Sequence, residues 1–233
     1  MITRYRVPDA SLFPRPHTLL RWQIISCILS IFFCFSISPA ADSNINANPS
    51  LDKLINDIQL KVNATSTVRC IFEQERNLSV FAQPIIFSGK MELVRPGKLR
   101  WENIEPIPSV LIFAGEKGLR CNDDAEPVHF ELEKDPIMKM VAEQIWTWVD
   151  GDYARLQNKY DISLSQERMI TLVPRSGESA DIITSVTINF DDHSLQPQTI
   201  HIKEVEGDTT TIRFSGYRLN EPVEDNLFTT CYP

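Results

Sequence analysis

The chain has 233 residues, with 23 Lys+Arg against 31 Asp+Glu, a formal net charge of −8 and 42% hydrophobic residues. That composition is globular and excludes a collagenous, low-complexity or intrinsically disordered chain. The acidic balance argues against a dedicated nucleic-acid binder, which needs a basic stripe to displace counterions from phosphates.

The charge is unevenly spread. In residues 1–40, Arg4, Arg6, Arg15 and Arg21 stand against Asp9 alone, a net +3. The other 193 residues hold 19 basic and 30 acidic side chains, a net −11. Behind Arg21 runs an uncharged apolar stretch of fourteen residues, Ile24 to Ile37, followed by Ser38-Pro39-Ala40-Ala41. A basic start, a short apolar core and small residues at Ser38 and Ala40 predict a secretory signal peptide over 1–40, cleaved before Ala41. The run is shorter than the roughly 20 residues of a membrane span. An uncleaved anchor is the alternative reading. A lipidation site is not expected: Cys34 follows the bulky Phe33, and Cys27 comes too early in the run. Export permits a disulfide among Cys70, Cys121 and Cys231, but three cysteines leave the pairing open.

Residues 41–48 read as a polar lead-in and 49–233 as a single domain. Leu51, Leu54, Ile55, Ile58 and Val62 recur at helical spacing, with Asn48 or Ser50 as cap and Pro49 in the first turn. The period then changes to two. Val68, Cys70 and Phe72 alternate with polar residues, as do Phe87, Met91 and Leu93. Further strands are predicted at 98–103, 110–114, 119–122, 128–132, 159–164, 168–173, 182–190, 196–204 and 209–215. Arg-Pro-Gly, Gly-Glu-Lys-Gly, Asp-Asp-His-Ser and Glu-Gly-Asp segments separate them with turn chemistry. Residues 135–150 interrupt the strands with a second helix, capped by Asp135 and begun by Pro136. Its predicted stripe is Ile137, Val141, Ile145 and Trp148, with Met138, Met140 and Trp146 adding apolar surface. The expected fold class is α+β: a strongly curved, incomplete antiparallel β-barrel of about eleven strands, with an N-terminal helix and an inserted lid helix.

No histidine pair at helical spacing, HExxH, GxSxG or phosphate-binding glycine loop occurs. Asp191-Asp192-His193 resembles a metal cluster but sits where a turn is needed. No catalysis, metal or cofactor is expected. The concave face of a curved sheet is left either as a packed core or as a cavity for an apolar ligand.

Two stretches carry a family likeness. Val68-Arg69-Cys70-Ile71-Phe72-Glu73-Gln74 resembles the first-strand pattern of the periplasmic lipoprotein carrier family, LolA. Residues 88–102, Ser-Gly-Lys-Met-Glu-Leu-Val-Arg-Pro-Gly-Lys-Leu-Arg-Trp-Glu, resemble that family's signature of a strand, Arg-Pro, a turn and a Trp. Pro106, the 110–114 strand, Ile188-Asn189-Phe190-Asp191-Asp192 and Leu195-Gln196-Pro197 continue the likeness. It implies a carrier in the Gram-negative periplasm. Such a carrier receives acylated lipoproteins from an inner-membrane ABC transporter, shields their acyl chains and passes them to an outer-membrane acceptor. It is expected to be a monomer with lipoprotein or other lipid cargo and no nucleic-acid partner.

By the resemblance, Arg95 helps hold the lid closed and Leu99 lies near the cavity mouth. Val68, Cys70, Phe72, Phe87, Met91, Leu93 and Trp101 are expected to line the sheet side of the site. Met138, Val141, Ile145, Trp146 and Trp148 are expected on the lid. Residues 118–122, Tyr217–Pro222 and Cys231 depart from the family pattern. A carrier of free lipid or glycolipid, a non-catalytic β-domain adaptor and an unrecognised enzyme are the competing readings.

Overall fold

The computed structural model describes residues 48–122, 125–149 and 151–231. The expected leader and lead-in, and the hairpin tip at Asp123-Asp124, lie outside the described residues. Helix α1 (Pro49–Asn63) begins where Asn48 Oδ1 accepts from the amides of Ser50 and Leu51, at 3.1 and 3.4 Å. All five residues of its predicted apolar stripe are buried.

Eleven strands follow, close to the predicted spans: β1 (Thr67–Asn77), β2 (Ile85–Val94), β3 (Lys98–Glu105), β4 (Ser109–Ala114), β5 (Lys117–Asn122), β6 (Val128–Glu131), β7 (Tyr160–Gln166), β8 (Met169–Pro174), β9 (Ile183–Phe190), β10 (Pro197–Glu204) and β11 (Thr209–Leu219). Helix α2 (Pro136–Val149) and a single-turn helix α3 (Tyr153–Leu156) separate β6 from β7. Asp135 caps α2 as predicted, its Oδ1 accepting from Met138 N at 3.0 Å.

The strands form one antiparallel sheet in the order β6-β5-β4-β3-β2-β1-β11-β10-β9-β8-β7. A plain meander would leave the first and last strands at opposite edges. Here β1 pairs with β11, from Val68↔Leu219 to Asn77↔Thr209. The sheet is thereby joined at its chain ends and open between β6 and β7, where α2 and α3 are inserted. A bulge between Arg69 and Ile71 accommodates the bend at the join.

Alternation decides which side chains face inward. Val68, Leu93, Leu99 and Phe113 stand in one cross-strand row, and Cys70, Met91, Trp101 and Leu111 in the next. Phe72 pairs with Gly89, whose missing Cβ makes room: a Cβ there would lie 2.5 Å from Phe72 Cζ. The Phe72 ring therefore lies down against the sheet and stacks on Trp101, centroids 4.2 Å apart.

The outer face of β3–β5 is covered as well. The chain after β11 crosses it with a 3-10 turn (Asp225–Phe228), burying Phe228 against Val110, Ile112 and Leu119. A disulfide from Cys121 to Cys231 fastens this tail, and Cys70 remains a buried free thiol. Two departures from the family pattern, the 118–122 segment and the extra Cys231, are thus two halves of one bond.

Candidate functional site

The inward rows end under the helices. Val68, Cys70, Phe72, Met91, Leu93, Leu99 and Trp101 are each 0–8% exposed and belong to one cluster with α1 and α2. From α2, Met138, Ala142 and Ile145 are buried there, with Val141 and Trp146 packed against the cluster. The described side chains of the opposite half, among them Ile170, Ile188, Phe190, Ile200 and Phe214, complete it. The helices thus occupy the space under the curved sheet.

Two sequence expectations need correction. Phe87, near the start of β2, is only half-buried and lies outside this cluster. Ile137 is 65% exposed, so the buried stripe of α2 runs through Met138, Ala142 and Ile145 instead. β2 ends at Val94, and Arg95 occupies the turn to β3. Trp148 lies in α2, and its side chain is outside the described residues.

Arg95 nevertheless turns inward. Its amide donates to Ser66 O at 2.8 Å, and its Nη2 donates to Val149 O, the last residue of α2, at 2.7 Å. A helix end presents unpaired carbonyls and partial negative charge, so a guanidinium is the complementary partner. A hydrogen bond of this charge-assisted kind contributes about 1.5–3 kcal/mol. Beyond Val149 the chain reverses at Gly151, whose φ of +69° favours glycine. Val62 of α1 closes the space a Cβ would need, at 2.4 Å.

The reversal buries Tyr153 of α3 completely, with its ring edge-on to Phe190 at 5.7 Å. Burial pushes its phenol well above the usual range, partly offset by the Arg95 charge. Burial, with help from Glu92, likewise pushes the Cys70 thiol up to about 12. Burial thus favours the neutral form of both groups. Sequence reasoning missed Tyr153, since a one-turn helix carries no periodic signal.

The turns around Arg95 form a stitched rim. Gly115 N donates to Gly97 O at 2.9 Å, and Leu132 N to Glu116 O at 2.9 Å. The Asp191-Asp192-His193 segment is a turn: Asp191 Oδ1 accepts from His193 N, Ser194 N and Ser194 Oγ, which holds its carboxyl below the usual range. Among the described residues no group of three metal-binding side chains is assembled.

The site is thus a buried apolar cluster between sheet and helices, with Arg95 hydrogen-bonded to the end of α2. The family model described as outer membrane lipoprotein carrier protein LolA matches residues 63–231. The chain belongs to the LolA family. An outer-membrane lipoprotein carrier protein of Coxiella burnetii is 22% identical over 212 residues, covering 88% of this chain and 92% of that protein. One of Pseudomonas putida is 24% identical over 152 residues, covering 63% and 68%. Among solved structures, a LolA-superfamily protein of Nitrosomonas europaea covers 76% of this chain and 97% of its own, with 11% identity and a TM-score of 0.39. In this LolA-family chain, the structure connects Arg95 to the helix inserted between β6 and β7.

Proposed function

We propose that this chain is an exported periplasmic carrier that shields the acyl chains of lipoproteins between its curved sheet and its helices. It would move them from the inner toward the outer membrane. Residues 1–40 serve as the cleaved export signal in this reading. The observation that carries it is the Arg95–Val149 hydrogen bond, which ties the mouth of the sheet to the end of α2. Around it, Val68, Cys70, Phe72, Met91, Leu93, Leu99 and Trp101 supply the sheet side of the acyl site, with Phe87 at its margin. Met138, Val141, Ile145, Trp146 and Trp148 supply the lid.

The energetics suit a shuttle. Each buried CH₂ contributes about 0.8 kcal/mol, so acyl chains alone would bind too tightly to be released. Filling the hollow with α2 and Tyr153 gives the empty protein a favourable closed state that competes with cargo. The latch sets that competition: a bond of about 1.5–3 kcal/mol shifts the open-to-closed balance roughly 10- to 150-fold. Removing it leaves loading intact and makes unloading harder.

Arg95→Leu is therefore expected to fold, to load acylated lipoprotein and to fail in handing it to an outer-membrane acceptor in a reconstituted transfer assay. Unimpaired handover refutes the latch. Mass spectrometry of material co-purifying with the periplasmic protein separates an acylated lipoprotein from a free lipid or glycolipid.

A further inference from the structure

The opening between β6 and β7 holds a groove that shares Trp146 with the proposed lid but is otherwise lined by residues outside the acyl site. Its volume is about 770 Å³, and a second hollow of about 430 Å³ shares Glu133, Lys139, Lys159 and Tyr160 with it. The two make one trough along α2. One wall follows β6 (Leu132, Glu133), and the other opens β7 (Lys159, Tyr160). Gly97, beside Arg95, lies at its rim.

The floor and the walls differ in chemistry. Ala142 and Tyr160 belong to the buried cluster, and Trp146 and Leu156 pack against it. Lys139, Arg155 and Lys159 rise above them, interspersed with Glu116, Glu133 and Asp152. Polarity thus changes from acyl-compatible to charged across one layer of side chains, as the junction of an amphiphile requires. A compact phosphate head calls for a predominance of cations. Mixed signs spread along a trough suit an extended peptide, whose amides and carbonyls alternate. β6 and β7 are the two edge strands, each paired on one side only, so both also offer backbone groups toward the opening. The ion pair of Lys159 with Glu143 of α2, at 3.4 Å, joins α2 to the β7 wall. Both partners are more than half exposed, so cargo groups can replace it at little cost.

We infer that this trough seats the N-terminal peptide of an acylated cargo while its acyl chains lie beneath α2. The inference rests on the proposed carrier function and adds the recognition of the polar end. It is tested with the mature protein and three fluorescent probes: a dipalmitoylated cysteinyl hexapeptide, palmitate and dipalmitoyl phosphatidylethanolamine. The charge reversal K139E/R155E is expected to weaken the lipopeptide about tenfold and to change palmitate and the phospholipid by less than twofold. A melting temperature within 2 °C of the parent shows that the variant folds. As a second readout, a photoreactive group at the third peptide position should crosslink to residues 136–159. An unchanged lipopeptide affinity, or an equal loss for all three probes, overturns the inference and leaves the carrier reading standing. Loss of the phospholipid alongside the lipopeptide assigns the trough to a lipid head and overturns the peptide. If the parent binds no probe at all, the carrier reading falls and this inference with it.

Discussion

Arg100 offers the sharpest test of how the tail is held. It alternates with Leu99 and Trp101 and so points to the outer face of β3, yet its side chain is 1% exposed. Its Nε donates to Glu102 Oε2 at 2.8 Å. Its terminal nitrogens donate to the carbonyls of Leu227, Thr230 and Cys231 at 3.1, 3.0 and 2.6 Å. Arg100→Met keeps the length of the side chain and removes every donor. Glu102 retains Lys90 at 3.2 Å, so the carboxylate is not stranded, but three tail carbonyls lose a charged donor. Breaking a buried charged cluster of this kind costs about 3–5 kcal/mol. For a domain of this size, 1 kcal/mol moves Tm by about 2–4 °C, giving an expected fall of roughly 6–20 °C. The assay is calorimetric or circular-dichroism melting at pH 7. The Cys121–Cys231 bond closes a 110-residue separation and contributes on the order of 4–5 kcal/mol in the chain-entropy account. Since both devices hold the same tail, Arg100→Met in a Cys121→Ser background should cost clearly less than in the parent. A fall below about 2 °C in the parent, or full additivity, refutes the clamp.

Two further expectations concern the turn after α2 and the buried thiol of β1. Gly151→Ala should lower stability by about 1–3 kcal/mol and speed amide exchange in α3, since it forces a positive φ and a clash with Val62. Adding Val62→Ala should recover only the steric part, and full recovery would refute the backbone argument. Cys70 should resist alkylation in the native protein at pH 8. Its folded pKa lies above the unfolded value of 9.0, so its contribution to stability is complete below pH 9 and is lost as pH rises toward about 12. Cys70→Ala should therefore flatten the alkaline loss of stability. An equally steep loss in the variant would show that the thiol is not responsible.

The parts legible in the sequence were those set by local pattern. Period-two runs placed the strands, and the five-residue stripe of α1 is buried as read. Strand parity also put Val68, Cys70, Phe72, Met91 and Leu93 on one buried face, and Phe87 at its half-buried margin. What escaped was set by contacts remote in sequence. Ile137 misled because α2 is apolar around much of its circumference, so spacing alone does not select the buried side. An outward-facing Arg100 reads as a solvated residue. It is buried because residues 227–231 return over it, and no local pattern announces a tail that arrives about 130 positions later. The Cys121–Cys231 pair escaped for the same reason.

The two faces of the same strands therefore carry opposite kinds of fastening. On the outside of β3–β5 the tail is held by a covalent bond and a multiply bonded guanidinium, and Glu92, 3% exposed between Arg69 and Arg100, adds a buried charge to that side. Burial raises the Glu92 carboxyl, while Lys90, Arg69 and Arg100 pull it back. Groups that must be unpaired to move are costly to disturb, so this face resists rearrangement. On the inside, α2 is held by apolar contact and a charged hydrogen bond at its end. Apolar contacts with α2 can be replaced by apolar contacts with an acyl chain at small net cost, because both remove the same surface from water. The polar latch has no such substitute in a hydrocarbon chain. On the proposed carrier reading, the multiply fastened face would preserve the space under the sheet while the exchangeable face changes its contents. Arg95 would then set how far the balance leans toward release.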